Sequence, residues 1–256
     1  MPLVIYLHQW GWDWAESRNS LAPQTKAKNW NYIHPDFRGK NNHLKSCGSD
    51  YVISDIDEAI DWTLKKFNVD TTRIYVVGAS GGGYAALCSF MKSRHKVKEY
   101  LVWVPITDLK RWYFECQTRT AGFAKDIVHC TCGDCNEPDM EEAVKRSPLY
   151  WKTPVQKLKD CKLKIYAGIN DGYTGSVPII HSINFYNKMV KDSGGSEKDQ
   201  ISFEDASWLL TTRTSPVKTQ HKIGDRDILY EKVFNNVTLS IFDGKHEILV
   251  DYVLPE

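Results

Sequence analysis

The feature that most constrains the fold of this chain is a glycine-rich turn between an apolar strand pattern and an alanine-rich helix pattern. Gly78-Ala79-Ser80-Gly81-Gly82 matches G-x-S-x-G, with a β-branched run over residues 73–77 before it and a helical pattern over residues 84–91 after it. A serine at such a turn adopts a strained backbone conformation, and the turn closes only where the flanking positions carry small residues. The pattern therefore predicts Ser80 as a nucleophile at the edge of a sheet, in preference to a glycine-rich turn with a bystander serine.

The other apolar runs predict where the rest of this sheet lies. Strands are expected over residues 3–7, 32–35, 73–77, 100–104, 162–167 and 237–242, and helices over residues 54–67, 84–91, 139–145 and 179–190. Strands that alternate with helices indicate an α/β fold, with a mainly parallel sheet covered by helices on both faces. The 256 residues suffice for one domain. Residues 108–158 are not needed by the sheet, and we expect them to form a lid insertion.

The overall charge excludes some classes of partner. Basic and acidic residues nearly balance, for a formal net charge of +1, so the chain has no electrostatic footprint for nucleic acid or an anionic membrane. No apolar run approaches the roughly 20 residues of a membrane-spanning helix. Met1-Pro2 is followed at once by a strand pattern, without a targeting segment. The compartment stays open, because a secreted or periplasmic origin requires only that a leader was removed.

A serine nucleophile needs a histidine base and an acid that orients it, and chain order selects candidates for both. In hydrolases with this turn the order is serine, acid, histidine. His246 follows the last predicted strand on a glycine-containing loop and is the candidate base, whereas His181 lies inside a predicted helix, where packing is the expected role. Asp171 follows the strand before the last one and is the candidate acid. Asp108, which follows the strand preceding that, is the alternative acid.

An acyl-transfer site also needs N–H donors for the oxyanion. The Gly81 N–H lies at the start of the helix after the turn, where it can donate. The second donor is expected from the loop after the first strand, which reads His8-Gln9-Trp10-Gly11. Trp10 is the preferred backbone donor and Gln9 the alternative. A packing role for Trp10 in the lid is an equally good interpretation.

The cysteines and one arginine raise the question of further sites. Cys130, Cys132 and Cys135 are clustered beside His129, but the spacing C-x-C-x-x-C is not that of paired zinc knuckles. We therefore expect free thiols or a disulfide in preference to a metal, and the acyl-transfer mechanism requires no cofactor. Arg38 is expected to form a structural ion pair that holds its loop, with binding of a substrate carboxylate as the alternative.

Together these motifs resemble those of the α/β-hydrolase superfamily and, within it, the esterase and prolyl-oligopeptidase-like serine hydrolases. The resemblance rests on residues 7–11, Arg38-Gly39, residues 78–83, Asp171 with the following Ser176-Val177-Pro178, and residues 244–247. Two features depart from it: Gln9 replaces the glycine that usually follows the histidine of the first loop, and the usual N-terminal antiparallel hairpin is missing. A sheet edge exposed in this way can be covered by dimerisation, so a homodimer is one expected assembly.

The resemblance implies a serine hydrolase that works through an acyl-enzyme. We expect a carboxylic ester as substrate, because the propeller that restricts peptide access in full-length relatives is absent. Bacterial proteins of this kind often occur among polysaccharide-degrading enzymes, which suggests an acetyl or feruloyl ester linked to carbohydrate. Six tryptophans are expected either to stack on sugar or phenolic rings or to be core: Trp10, Trp12, Trp14, Trp103, Trp112 and Trp151. The alternatives are a prolyl-oligopeptidase-like peptidase and a catalytically inactive binding module.

Overall fold

One mixed sheet organises the chain. The computed structural model describes residues 1–17, 20–217 and 219–255, and eight strands pair in the order β2-β1-β3-β4-β5-β8-β7-β6. The strands are β1 Leu3–Leu7, β2 Asn31–Ile33, β3 Ile74–Ala79, β4 Glu99–Trp103, β5 Lys162–Gly168, β6 Lys222–Ile223, β7 Arg226–Phe234 and β8 Val237–Phe242. The six strands from β2 to β8 in this order run parallel, and β7 and β6 add an antiparallel edge. The expected mainly parallel sheet is confirmed.

Within the described residues, eight α-helices connect or cover the strands. They are α1 Ala22–Ala27, α2 Asp50–Lys66, α3 Gly81–Lys92, α4 Leu109–Gln117, α5 Ala121–Thr131, α6 Met140–Lys145, α7 Ile180–Asp192 and α8 Phe203–Thr212. Four of them, α2, α3, α7 and α8, bury apolar side chains against one face of the sheet. The other face is covered by Leu21, next to α1, and by apolar residues of the segment 248–254. No helix in the described ranges is long and apolar enough to cross a bilayer.

The first strand shows why its sequence predicts a central position. Leu3, Ile5 and Leu7 point into the core on the helix-rich face, while Val4 and Tyr6 point to the opposite face. Successive side chains of a strand alternate between faces, so a strand covered on both sides is apolar throughout. All five residues of β1 are buried, and β1 pairs in parallel with β2 and β3.

The antiparallel edge was not predicted from the sequence. Of the nine residues of β7, four are charged and only two are fully buried, because a strand near the edge of a sheet needs only one apolar contact face. This edge lies at the opposite side of the sheet from β2. Beyond β2, the described residues supply no further strand.

The region between β4 and β5 packs tightly against the site edge of the sheet. Helices α4, α5 and α6 lie there, and their buried side chains form a cluster with Trp10, Ile53 and Tyr84 from other parts of the chain. A disulfide between Cys47 and Cys130 joins α5 to the loop before α2. The region thus contacts the loops after β1 and β3, and its action as a lid stays a prediction.

Candidate active site

Ser80 occupies the sharp turn between β3 and α3. Its backbone dihedrals are φ 57° and ψ −120°, a left-handed φ that is uncommon for a residue with a side chain. The turn needs the glycines around it: a Cβ at Gly78 would overlap the carbonyl of Gly82, and a Cβ at Gly82 would overlap the carbonyl oxygen of Leu7. The strain at Ser80 is therefore held by close packing of the turn on itself and on β1, which places the hydroxyl at the carboxyl edge of the sheet.

Asp171 and His246 meet at the same edge. Strands β5 and β8 pair in parallel with Gly168 opposite Phe242, so the loops that follow them leave the sheet side by side. The Oδ2 atom of Asp171 lies 2.7 Å from Nδ1 of His246. Only 1% of the Asp171 side chain and 18% of the His246 side chain are exposed. The arrangement fixes one ring nitrogen of His246 on a buried carboxylate.

Two main-chain N–H groups hold the other oxygen of this carboxylate. Oδ1 of Asp171 accepts hydrogen bonds from the Gly172 N–H at 2.9 Å and from the Val177 N–H at 3.0 Å. These bonds hold the plane of the buried carboxylate in one orientation. The sequence analysis did not identify these donors, because the Val177 contact depends on how residues 171–177 fold back.

Asp108 serves a different structure. Its Oδ1 accepts from the Arg111 N–H at 3.0 Å, which makes it the N-cap of α4, and its Oδ2 accepts from the Tyr150 hydroxyl at 2.7 Å. The Arg111 guanidinium donates to Glu115 and not to Asp108. The structure brings Asp171, and not Asp108, to His246.

The backbone of Trp10 lies directly against Gly81. A Cβ added to Gly81 would overlap the main-chain nitrogen of Trp10, so the two candidate oxyanion donors are neighbours. The Gln9 N–H, by contrast, points to Glu16, with a long contact of 3.4 Å, and the Gln9 side-chain amide donates to the same carboxylate at 3.2 Å. The Trp10 ring is 2% exposed and donates from Nε1 to Asp126 on α5 at 3.1 Å. Trp10 therefore combines the two expected arrangements, a backbone beside Gly81 and a packed side chain.

The hydroxyl of Ser80 and the ring of His246 lie at the same edge of the sheet, but no hydrogen bond joins them. Within the described residues, Ser80 Oγ has no hydrogen-bond partner, and His246 is bonded only through Nδ1. Catalytic hydrogen bonds of this kind often tighten only when substrate binds.

His8, at the end of β1, is fully buried and stacks on Phe37 at 3.9 Å. Burial lowers the pKa of His8, which keeps this imidazole neutral.

The six tryptophans separate into three groups by exposure. Trp10, Trp103 and Trp112 are at most 2% exposed, so of the two expected roles these three have the one in the core. Trp151 is half-buried under the Lys92 ammonium. Trp12 and Trp14 are 40% and 62% exposed in the loop after β1. Tyr173, two residues after Asp171, is 67% exposed and lies beside the Arg213 guanidinium.

The cysteine cluster and Arg38 have structural partners. Cys130 is bonded to Cys47, and Cys132 to Cys135, so a disulfide is present where the sequence left free thiols or a disulfide. In the described part of the chain no group of three or more histidine, cysteine, aspartate or glutamate side chains is placed to hold a metal ion. Arg38 binds Asp55 of α2 through both Nη2 and Nε at 2.7 Å, which is the expected ion pair.

The fold and the site define a serine hydrolase of the α/β-hydrolase superfamily: a strained serine after a central strand, followed in the chain by an aspartate–histidine pair after later strands. The model of the prolyl oligopeptidase family of S9 peptidases matches residues 23–221. The chain belongs to this family.

Solved structures show the same fold. The acylaminoacyl peptidase of Pyrococcus horikoshii superposes with a TM-score of 0.55 at 21% identity, over 76% of this chain and 31% of that chain. Prolyl oligopeptidase B of Galerina marginata gives 0.58 at 16%, over 81% and 30%. A puromycin-hydrolysing peptidase of Mycobacterium tuberculosis gives 0.52 at 16%, over 82% and 32%. The chain thus spans less than a third of each of these proteins. No protein with a curated description matches it in sequence.

Proposed function

We propose that this chain hydrolyses peptide or related amide bonds by acyl transfer through Ser80. The observation that carries the proposal is that the strained turn at Ser80 lies at the same edge of the sheet as the Asp171–His246 pair. In that pair, Oδ2 of Asp171 and Nδ1 of His246 are 2.7 Å apart. Membership of a peptidase family, and similarity to three proteins that are each named as peptidases, favour an amide over an ester as the natural substrate.

In this proposal each residue has one role. Ser80 attacks the carbonyl carbon and its proton passes to Nε2 of His246. Asp171 keeps the His246 ring oriented and stabilises its charged form, and the N–H groups of Gly81 and Trp10 bind the oxyanion. His246 then protonates the leaving amine, and a water molecule hydrolyses the acyl-enzyme by the same steps. The chemistry requires no cofactor.

The test uses a fluorophosphonate probe and a matched pair of substrates. Wild-type protein should be labelled at Ser80, and Ser80→Ala should lose labelling and about a million-fold in turnover. Ser89→Ala is the control, because Ser89 is a buried serine on α3, the helix that follows Ser80. Its hydroxyl lies 3.4 Å from that of Tyr100. A peptide anilide and an ester with the same acyl group then separate the activities. A Ser80→Ala variant that keeps turnover would contradict the proposal, and wild-type protein that is never labelled would indicate an inactive binding module.

An ester of a carbohydrate is the second candidate. It is favoured by the exposed rings of Trp12 and Trp14 after β1 and of Tyr173 after Asp171, because flat exposed aromatics can stack on sugar or phenolic rings. Hydrolysis of acetylated or feruloylated sugars with no cleavage of peptide anilides would favour this candidate. Loss of that activity in Trp14→Ala, with unchanged hydrolysis of a small aryl ester, would assign the stacking role.

A further inference from the structure

One of the two peptide groups that donate to the carboxylate of Asp171 is itself anchored by a side chain. The Val177 N–H donates to its Oδ1 at 3.0 Å, opposite the oxygen that faces His246. The carbonyl of that same peptide group belongs to Ser176, and it accepts a hydrogen bond at 3.0 Å from the indole Nε1–H of Trp112. Because the peptide group is planar, with its N–H and C=O pointing in opposite directions, an anchor on the oxygen fixes the direction of the N–H.

The anchor is itself rigid. Trp112 lies on α4, is fully buried, and stacks on the Phe123 ring at 5.3 Å. A buried indole N–H that lost its acceptor would leave an unsatisfied donor, so the bond to Ser176 holds both groups in place. Hydrogen bonds in series also polarise one another, and donation to the Ser176 carbonyl therefore strengthens the Val177 N–H as a donor to Asp171.

The same ring contacts the second loop of the site. The rings of Trp112 and Trp10 pack in a T-shaped arrangement, with centroids 4.7 Å apart and planes at 73°, and the Trp10 backbone lies against Gly81. The loop after β1 and the loop after β5 thus meet on one side chain of the region between β4 and β5.

We propose that Trp112 is a positioning residue that sets the geometry of the catalytic acid from α4, by anchoring the Ser176–Val177 peptide group. The inference rests on the proposed function, since it concerns a reaction that uses Asp171 and His246. Trp112 does not touch the reacting atoms. Its indole N–H acts through the peptide group, and its ring supports the Trp10 loop.

The variant that tests the N–H is Trp112→Phe, which keeps an aromatic ring against Trp10 and removes the donor. A shift of the acid from its productive position should lower kcat by about tenfold to a hundredfold, while KM changes by less than about twofold, since the substrate-binding surface is unchanged. Trp208→Phe is the matched control, because it also removes an indole hydrogen bond. Trp208 lies on α8, and its Nε1–H donates to the Thr214 hydroxyl at 3.1 Å. It should leave kcat unchanged.

A double-mutant cycle with Asp171→Ala separates positioning from general packing. Once the carboxylate is gone, the direction of the Val177 N–H no longer matters, so Trp112→Phe should lower the residual kcat by less than about twofold. Equal losses in both backgrounds would overturn the inference, as would an unchanged kcat in Trp112→Phe. If Trp112→Phe does not fold, benzothienylalanine at position 112 keeps the indole shape without its N–H and gives the same comparison.

The two proposals can fail separately. Fluorophosphonate labelling that is independent of Ser80 would end the proposed function and the inference with it. Labelling at Ser80 and loss of activity in Asp171→Ala, together with full activity in Trp112→Phe, would leave the proposed function standing and end the inference alone.

Discussion

The Asp171–His246 pair and the Glu115–His181 pair join the same two functional groups at similar distances, 2.7 Å and 3.0 Å. They differ at the other ring nitrogen. Nδ1 of His181 accepts the Thr107 N–H at 3.1 Å, and the ring is fully enclosed on α7. His246 uses only Nδ1, and 18% of its side chain is exposed.

This difference shows what a carboxylate–imidazole pair needs in order to act on a substrate. A base must exchange a proton through one nitrogen while the other is oriented. His181 has both nitrogens committed to protein groups, so its pair joins α7 to α4 and to the loop after β4. His246 has one nitrogen left for chemistry.

The largest expected effect is on kcat, and it distinguishes the carboxylates of the two pairs. Asp171→Asn should lower kcat by about ten-thousand-fold, because the amide favours the wrong tautomer of His246. Glu115→Gln and Asp108→Asn should keep kcat within about threefold of wild type, since neither carboxylate contacts His246. Steady-state kinetics on one anilide or ester substrate measures all three. A larger loss in Asp108→Asn than in Asp171→Asn would move the catalytic acid to Asp108.

The next prediction concerns stability, for which the Glu115–His181 pair should matter more than the Asp171–His246 pair. Glu115→Ala leaves the Nε2–H of buried His181 without its acceptor, which should lower the free energy of unfolding by about 1–3 kcal/mol. Glu115→Gln keeps a carbonyl oxygen in place and should lose less. Asp171→Asn, which preserves volume and one acceptor oxygen, serves as the comparison from the other pair. Urea unfolding measures these differences, and an unchanged midpoint in Glu115→Ala would show that the second pair does not stabilise the fold.

The smallest effect is a pH dependence. Burial alone would raise the pKa of Glu115, but hydrogen bonds from His181 and Arg111 outweigh it, and the net pKa lies below the usual value. A carboxyl with a lowered folded pKa stabilises the fold above its unfolded pKa, near 4.3, and this contribution is lost as pH falls through the folded pKa. Glu115→Gln should therefore unfold with a shallower loss of stability below about pH 4.3 than wild type. Parallel curves for the two proteins, from thermal melts between neutral and acid pH, would contradict this reasoning.

The parts of the fold that the sequence predicted are those with a strong local signal. Continuous apolar runs mark the central strands β1, β3 and β4, alternating apolar residues mark β5 and β8, and glycines mark the Ser80 turn. Chain order placed Asp171 and His246 at one edge, because carboxyl ends of parallel strands share an edge. Strand β7, which lies beside the short outermost strand β6, was not predicted, since four charged residues interrupt its apolar ones and most of its residues are half-buried or exposed.

The supporting residues of the site could not be predicted in this way. Trp112 meets Ser176 across 64 positions of sequence and Trp10 meets Asp126 across 116. A tryptophan is interpreted as a core residue in either case, on a helix for Trp112 and in a loop for Trp10, and only the folded chain shows which group its N–H reaches. Asp126 adds a half-buried carboxyl whose pKa burial raises, again without a local sequence signal.

The Cys47–Cys130 disulfide has a consequence for how the chain comes apart. It joins positions separated by 83 residues, and the closed ring contains β3, Ser80, α3 and β4. A protease cut inside this ring releases no fragment, because both pieces stay attached through the bridge. A cut between residues 136 and 170 lies outside both disulfide loops and separates the segment bearing the nucleophile from the one bearing Asp171 and His246. The nucleophile Ser80 thus lies inside a ring closed by a disulfide, whereas Asp171 and His246 lie outside both disulfide loops.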